Sequence, residues 1–209
     1  MRVKLWRILA VTTILALGSL ACELSGGASA RVGSAAPDFT LTSSAGKEMS
    51  LGAFRGRPVV LNFFTTWCEP CRDEMPGMQA MFESYVTRGL VLLAVDLGDA
   101  PDEVKTYAQQ MGLSFPLLLD QESNVGDLYG VNSFPRTFFI DSEGVIQKIS
   151  IGSMAEAEIA TGIEDLLQRA RAVKEKAAAA GAVRGVEGWG CRTCLKDDVS
   201  ILALEMAAA

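Results

Sequence analysis

Buried strands and amphipathic helices alternate along the middle of the chain. Three short apolar runs, at residues 59–64, 90–96 and 115–120, have the length and composition of buried strands. The segments between them, at 71–86 and 102–111, repeat their apolar residues at helical spacing. This alternation predicts an α/β domain with a central mixed sheet that is flanked by helices.

Shorter segments on either side complete the predicted domain. They are strands at 39–41 and 48–51, a helical turn at 125–129, and a hairpin of strands at 137–141 and 145–151. A capping-box pattern at 153–156 and a helical apolar repeat then predict a closing helix that ends at Gly181.

The methionines of the first long helix follow its apolar repeat. Met75 and Met78 recur with Phe82 and Tyr85 at helical spacing, which indicates core packing rather than metal binding. Pro76 lies inside the same helix, where its missing N–H removes a backbone hydrogen bond. We therefore predict a kink at Pro76.

The first 22 residues have the pattern of an export signal. Basic residues precede an apolar segment at 8–21 that is short for a transmembrane helix. Three fates are open: lipidation at Cys22, cleavage at the A-x-A pattern of 28–30, or retention as an uncleaved anchor. With lipidation or retention, residues 23–35 form a flexible tether to a domain at 36–180. We expect an extracytoplasmic domain anchored to the outer side of the bacterial cell membrane.

Composition and charge narrow the possible partners and chemistry. The chain has 209 residues, a net charge of −6 and no run of Lys or Arg, so we expect no nucleic-acid partner. It contains no histidine. This absence excludes Ser-His-Asp and Cys-His catalysis, His-ligated metal sites and C-x-x-C-H haem attachment within the chain. We expect no metal site.

Two cysteines lie one helical turn apart where the first buried strand meets the first helix. Cys68 and Cys71 belong to the pentapeptide Trp67-Cys68-Glu69-Pro70-Cys71. The free N–H groups and partial positive charge of a helix N-terminus favour a thiolate at Cys68. This context is typical of a redox-active dithiol, and the alternatives are a structural disulfide or half of a zinc site.

Further motifs occur in a fixed order around this dithiol. They are Ala36-Pro37-Asp38-Phe39, Asn62-Phe63-Phe64, Glu74-Met75-Pro76, and Phe134-Pro135 before Thr137-Phe138-Phe139-Ile140-Asp141. Together they resemble the thioredoxin superfamily, and within it the TlpA/ResA-like membrane-anchored thiol-disulfide oxidoreductases. The resemblance covers about residues 36–152. The resemblance implies a thioredoxin-like fold with an N-terminal β extension.

The resemblance also implies how the dithiol works. Cys68 is expected to be the exposed nucleophile that forms a mixed disulfide, and Cys71 the thiol that resolves it. Glu74 is expected to handle the proton when Cys71 attacks. The redox-active group is then the Cys68–Cys71 disulfide itself, and no cofactor is expected.

A substrate-binding wall is implied opposite the dithiol. Pro135 resembles the cis-proline of the superfamily, which lets the backbone of the preceding residue pair with an extended substrate peptide. That residue is Phe134, where plain thioredoxins usually have a small β-branched residue. With Trp67, these residues are the expected substrate-binding set.

The function expected from the resemblance is reduction of protein disulfides, with electrons from a membrane donor of reducing equivalents. Reduction of apocytochrome c before haem attachment is the specific activity to test first. One alternative is a peroxiredoxin-like thiol peroxidase, although Leu61 stands where the P-x-x-x-T-x-x-C pattern of those enzymes has proline. The other is a non-enzymatic module that binds thiols or copper.

The tail at 181–209 lies outside the resemblance and carries a second C-x-x-C, Cys191 and Cys194. This pair is either a local disulfide or an auxiliary dithiol that exchanges electrons with Cys68.

Overall fold

The computed structural model of the protein describes residues 30–183. In chain order these residues form seven strands: β1 (Thr40–Ser43), β2 (Glu48–Ser50), β3 (Val59–Phe64), β4 (Val91–Leu97), β5 (Leu117–Asp120), β6 (Arg136–Ile140) and β7 (Ile146–Ile151). The helices of the same region are α1 (Glu69–Tyr85), α2 (Pro101–Met111), α3 (Asn124–Leu128) and α4 (Glu156–Val183).

The strands form one mixed sheet in the order β2-β1-β5-β4-β3-β6-β7. The three central neighbours β5, β4 and β3 are parallel, whereas β6 and β7 continue the sheet antiparallel on one side. The β1–β2 hairpin extends the opposite edge by pairing antiparallel with β5. The predicted mixed sheet with an N-terminal β extension is therefore confirmed.

Alternate residues of the central strands face different layers of the molecule. On one face, Phe64 of β3 stacks on Tyr107 of α2, with ring centroids 5.6 Å apart. The same face receives α1 and α4. On the other face, Phe63 packs against Tyr129, which follows α3, at 5.2 Å. Helices thus cover both faces, as predicted.

The strand β3 is buried along its whole length between β4 and β6. It ends at Phe64, and three residues separate it from Cys68, the N-cap residue of α1. The side chain of Cys68 accepts a hydrogen bond from the backbone N–H of Cys71, which satisfies one donor of the first helical turn. A fully buried strand that is paired on both sides therefore positions the dithiol.

Several predicted boundaries shift by one or two residues in the structure. The helix α1 begins at Glu69, two residues earlier than predicted, because the Cys68 side chain caps it. It continues through Pro76 without a break, and the kink stays a prediction. The capping box predicted at 153–156 is wrong, because α4 begins at Glu156 and the Ala155 N–H donates to the carboxylate of Glu158.

The predicted export signal, with Cys22 as its possible lipidation site, and the second cysteine pair, Cys191 and Cys194, lie outside the described residues. Within residues 30–183, no helix combines the length and apolar character needed to cross a bilayer.

Candidate active site

The two active-site cysteines form a disulfide at the N-terminus of α1. Cys71 is completely buried, whereas Cys68 retains 6% of its surface exposed. Cys68 is thus less exposed than predicted, but it is the only one of the two that solvent reaches. The Cys68 Sγ also accepts the Cys71 N–H at 3.2 Å, and this hydrogen bond to sulfur favours a thiolate after reduction.

An aromatic pair borders the dithiol on the outside. Trp67 is 70% exposed, and its ring lies edge-on against Phe134 with centroids 6.1 Å apart. The peptide bond between Phe134 and Pro135 is cis, as predicted. The structure therefore brings the cis-proline segment, which is 67 residues away in sequence, against the residue that precedes Cys68.

Glu74 is buried on the same side of α1 as Cys71, because the two residues are three positions apart. Only 3% of its surface is exposed. Its Oε1 accepts the Met154 N–H at 2.9 Å, and its Oε2 accepts the amide of Asn62 at 3.2 Å. Burial raises the pKa of the Glu74 carboxyl to about 7, outweighing these two hydrogen bonds, which lower it. Glu74 can therefore gain or lose a proton near neutral pH. Asp73, its neighbour, is exposed.

A second buried carboxyl lies at the end of β4. Asp96 is 1% exposed, and its Oδ1 accepts the backbone N–H of Asp99 at 3.0 Å. Burial, and after it the proximity and negative charge of the Asp99 side chain, raises the pKa of Asp96 to about 8, although the Asp99 N–H lowers it. The other oxygen, Oδ2, is buried without a hydrogen-bond partner among the described residues, and a carboxyl with a pKa near 8 keeps its proton at neutral pH.

The Asp96–Asp99 pair connects to the active-site loop. Asp99 Oδ2 accepts the backbone N–H of Thr66 at 2.6 Å, one residue before Trp67. The same carboxylate lines an open groove of about 520 Å³ beside the dithiol, together with Trp67, Tyr107 and Arg72. The Arg72 guanidinium lies 5.6 Å from the centre of the Tyr107 ring. The groove thus offers aromatic surface, one cation and acidic groups next to Cys68.

Met75 and Met78 are buried in the core, as their helical spacing predicted. Neither lies at the surface, where a copper ion could reach its sulfur. In the part of the chain that the structure describes, no three His, Cys, Asp or Glu side chains are placed to hold a metal ion.

Sequence reasoning missed the polar residues behind the dithiol. They are Asn62, which bonds Glu74 and the Thr137 hydroxyl, and the pair Asp96 and Asp99. A usable signal was present, since Asn62 and Asp96 are single polar residues inside otherwise apolar strands. A polar residue at such a position is buried and needs a partner.

Comparison with known proteins agrees with this geometry. The family model described as the AhpC/TSA family matches residues 32–149. The thiol-disulfide oxidoreductase ResA of Geobacillus thermodenitrificans is 41% identical over 135 residues, which are 65% of this chain and 78% of that protein. ResA of Bacillus subtilis is 38% identical over 127 residues, 61% of this chain and 71% of that protein.

A solved structure has the same fold. It is described as a thiol:disulfide interchange protein of the thioredoxin family from Chlorobium tepidum, and it matches with a TM-score of 0.58 at 27% identity. The match covers 67% of this chain and 99% of that one. The chain therefore belongs to the AhpC/TSA family, has a thioredoxin-like fold, and is a thiol-disulfide oxidoreductase similar to ResA.

Proposed function

We propose that the protein reduces disulfides of other proteins outside the cytoplasm, from an anchored position on the cell membrane. The observation that supports this most directly is the position of the dithiol. Cys68, the cysteine with exposed surface, lies beside the aromatic pair of Trp67 and Phe134, on a surface open enough for a peptide. The location rests on the export-signal pattern of residues 1–22.

The reaction begins with the reduced protein. The Cys68 thiolate attacks one sulfur of the substrate disulfide, a Cys68–substrate disulfide forms, and the other substrate sulfur leaves as a thiolate. Cys71 then transfers its proton to the Glu74 carboxylate and attacks the Cys68 sulfur. The second substrate sulfur leaves, so the substrate gains two electrons and the protein becomes the Cys68–Cys71 disulfide.

The substrate segment is proposed to lie across Phe134 and Pro135. In an extended peptide, backbone groups can pair with the backbone at Phe134, while side chains contact the rings of Trp67 and Phe134. Renewed turnover requires two electrons from a thiol donor, which we propose is a membrane protein that carries reducing equivalents. Apocytochrome c, whose paired thiols must be reduced before haem attachment, is the first substrate to test.

The two alternative functions have less support. In the structure Leu61 lies in the middle of the central strand β3, paired on both sides, where a proline would remove a sheet hydrogen bond. The proline of the peroxidase pattern therefore has no equivalent position. A peroxidase would still be recognised by rapid consumption of hydrogen peroxide by the reduced protein. A non-enzymatic copper carrier would retain copper when isolated without chelator.

Trapping of mixed disulfides tests the proposal. A Cys71→Ser variant cannot complete the second step, so it should accumulate mixed disulfides through Cys68 with its substrates in the native cell envelope. A Cys68→Ser variant is the matched control and should trap none. Mass spectrometry of the trapped species identifies the substrate proteins. If only the control variant traps partners, the roles assigned to the two cysteines are reversed.

A further inference from the structure

A groove with five basic side chains lies at the end of the molecule that the active site does not use. It has a volume of about 410 Å³, and no Asp or Glu lines it. We call it the basic groove; its cations are Arg55, Arg57, Arg88, Arg171 and Lys174. The groove thus holds 5 of the 19 Lys and Arg residues of the chain, although the net charge of the chain is −6.

Most of this positive charge is not neutralised locally. Arg88 pairs with the carboxylate of Glu164 at 2.7 and 2.8 Å. Arg57 donates to two backbone carbonyl groups, which hold the side chain without cancelling its charge. Arg171 and Lys174 project from the exposed side of α4. Among the described residues, Arg88 is the groove cation that forms an ion pair, and Arg55 and Arg57 also border Asp38 and Asp141 in an adjoining pocket. Because no carboxylate of residues 30–183 lines the groove itself, its surface attracts anions.

The basic groove and the dithiol lie at opposite ends of α1. Cys68 caps the N-terminus of this 17-residue helix, and the residues that follow its C-terminus, 86–89, line the groove. At 1.5 Å per residue the helix separates the two by about 25 Å. A surface that contacts the basic groove therefore leaves Cys68 free to meet a substrate.

The N-terminal segment meets the domain at the same end. Ala35 pairs with Val145 in the turn between β6 and β7, and the Ala36 N–H donates to the Gly144 carbonyl. Arg55 of the basic groove donates to the Glu143 carbonyl of that turn. Only seven residues lie between Cys22 and Ala30, so the two positions can be at most about 28 Å apart. A membrane anchor before residue 23 would keep this end of the domain close to the bilayer.

We propose that the basic groove docks on anionic phospholipid headgroups of the membrane that anchors the protein. This proposal rests on the membrane location proposed above. Each Lys or Arg near an anionic membrane surface strengthens binding about fivefold. Docking orients the domain so that the dithiol and its aromatic pair face away from the membrane, toward protein substrates.

Hydrogen–deuterium exchange of the full chain tests the docking. The protein is mixed with excess vesicles of phosphatidylcholine alone, or of phosphatidylcholine with about one third phosphatidylglycerol. We expect severalfold slower exchange at 86–89 and 167–174 with the anionic vesicles only, and no change at 65–71. High salt should remove this protection, because screening shortens the range of the attraction to about 3 Å at 1 M.

Matched charge variants test the assignment to the groove. Arg171→Gln/Lys174→Gln should weaken binding to the anionic vesicles about 25-fold. Lys105→Gln/Lys148→Gln removes the same number of positive charges outside the groove. This variant should bind the anionic vesicles as strongly as the wild type. Equal weakening by both pairs, or no protection that depends on phosphatidylglycerol, overturns the proposal. So does equal protection by inorganic phosphate without anionic lipid, which would indicate a site for small anions.

Turnover of a protein disulfide, measured in the same samples, separates the two proposals. Loss of lipid-dependent protection with normal turnover contradicts only the docking, whereas absent turnover contradicts the proposed reductase.

Discussion

At the scale of single residues, the two hydrogen bonds to Glu74 determine what its carboxyl can do. The donors are the Met154 N–H and the Asn62 amide, and both favour the carboxylate. Burial favours the neutral acid more strongly, so the pKa lies near 7. The balance leaves a carboxyl that can take up and release a proton near pH 7, as the proposed transfer from Cys71 requires.

Substitution of Glu74 by Gln should slow the resolving step and remove its dependence on pH near 7. General acid–base groups contribute about 10²-fold or more to rate, so we expect at least this decrease for release of a mixed disulfide. Stopped-flow measurement of substrate release between about pH 5 and 9 gives the profile. Asp73→Asn, which removes the exposed neighbouring carboxyl, is the control. An unchanged profile would show that the proton goes elsewhere.

The same carboxyl should contribute to the dependence of stability on pH. Between its ordinary pKa of 4.5 and the folded value of about 7, Glu74 keeps its proton when folded and loses it when unfolded. The free energy of unfolding therefore falls as pH rises through this window, by about 1.4 kcal/mol per unit. Denaturant unfolding should show that Glu74→Gln lacks this part of the slope.

Asp96→Asn should stabilise the protein in alkaline solution. The pKa of Asp96 is raised from 3.8 to about 8, so the folded state loses stability as pH rises, until the buried carboxyl ionises. An amide at this position can still accept the Asp99 N–H and never ionises. We expect the free energy of unfolding of the variant to exceed that of the wild type by about 1 kcal/mol or more near pH 9, and by less near pH 5. Equal destabilisation at both pH values would show that Asp96 is ionised when folded.

The sequence predicted the cysteine pair and the cis-proline, but not the polar side chains that are buried behind them. Cys68, Cys71 and Pro135 belong to short motifs, and the expected disulfide partners and cis bond are present. Glu74 was also found, but its pKa depends on a backbone N–H 80 residues away in sequence. No local pattern contains that contact, because folding brings the start of α4 against α1.

At the scale of secondary-structure elements, two helical glycines differ in the space around them. A Cβ at Gly162 of α4 would overlap the Phe139 ring, so α4 packs closely on β6 only because this side chain is absent. At Gly77 of α1, the nearest atoms would be 3.8 Å away, on Glu156 and Ile159. The close packing of α4 on β6 needs glycine at 162, whereas the space around Gly77 has room for a methyl group.

Alanine at these two positions should therefore have opposite effects. Gly162→Ala should destabilise the protein by about 1–3 kcal/mol, because the Phe139 ring must move. Gly77→Ala should stabilise it by about 0.5–1 kcal/mol, since alanine favours helix and meets no clash. Denaturant unfolding of both variants checks the signs. A stabilising Gly162→Ala would mean that α4 and β6 can separate without loss.

The elements themselves were predictable because each has its own apolar pattern, and most boundaries agree within two residues. The start of α4 was not predictable, because two overlapping segments each place a glutamate three residues after a possible N-cap residue. Ser153 and Glu156 fit a capping box, but the structure uses Glu158 with the N–H of Ala155. The backbone N–H of Met154 instead donates to the Glu74 carboxyl. A tertiary hydrogen bond thus decided where the helix begins.

At the scale of the whole molecule, α4 carries the chain away from the dithiol. The helix starts beside Glu74, and its 28 residues extend about 42 Å to Val183. Cys191 follows eight residues later, and a fully extended chain of that length reaches at most about 28 Å. Cys194 follows three residues further and reaches at most about 38 Å, which is still less than the length of α4. Neither tail cysteine can therefore return to Cys68 of the same chain while α4 is intact. If the tail dithiol supplies electrons to Cys68, the exchange must take place between two molecules.

A mixing experiment tests this expectation. A Cys191→Ser/Cys194→Ser variant keeps the active-site dithiol, and a Cys68→Ser/Cys71→Ser variant keeps the tail dithiol. With the physiological reductant, we expect each variant alone to turn over substrate slowly and their mixture to recover the wild-type rate, increasingly so at higher protein concentration. If the mixture stays slow and only the wild type, with both dithiols in one chain, is fast, then α4 must unwind to bring the two dithiols together. If the variant without tail cysteines already matches the wild type, the tail dithiol has no part in turnover, and Cys68 receives its electrons directly from the membrane donor.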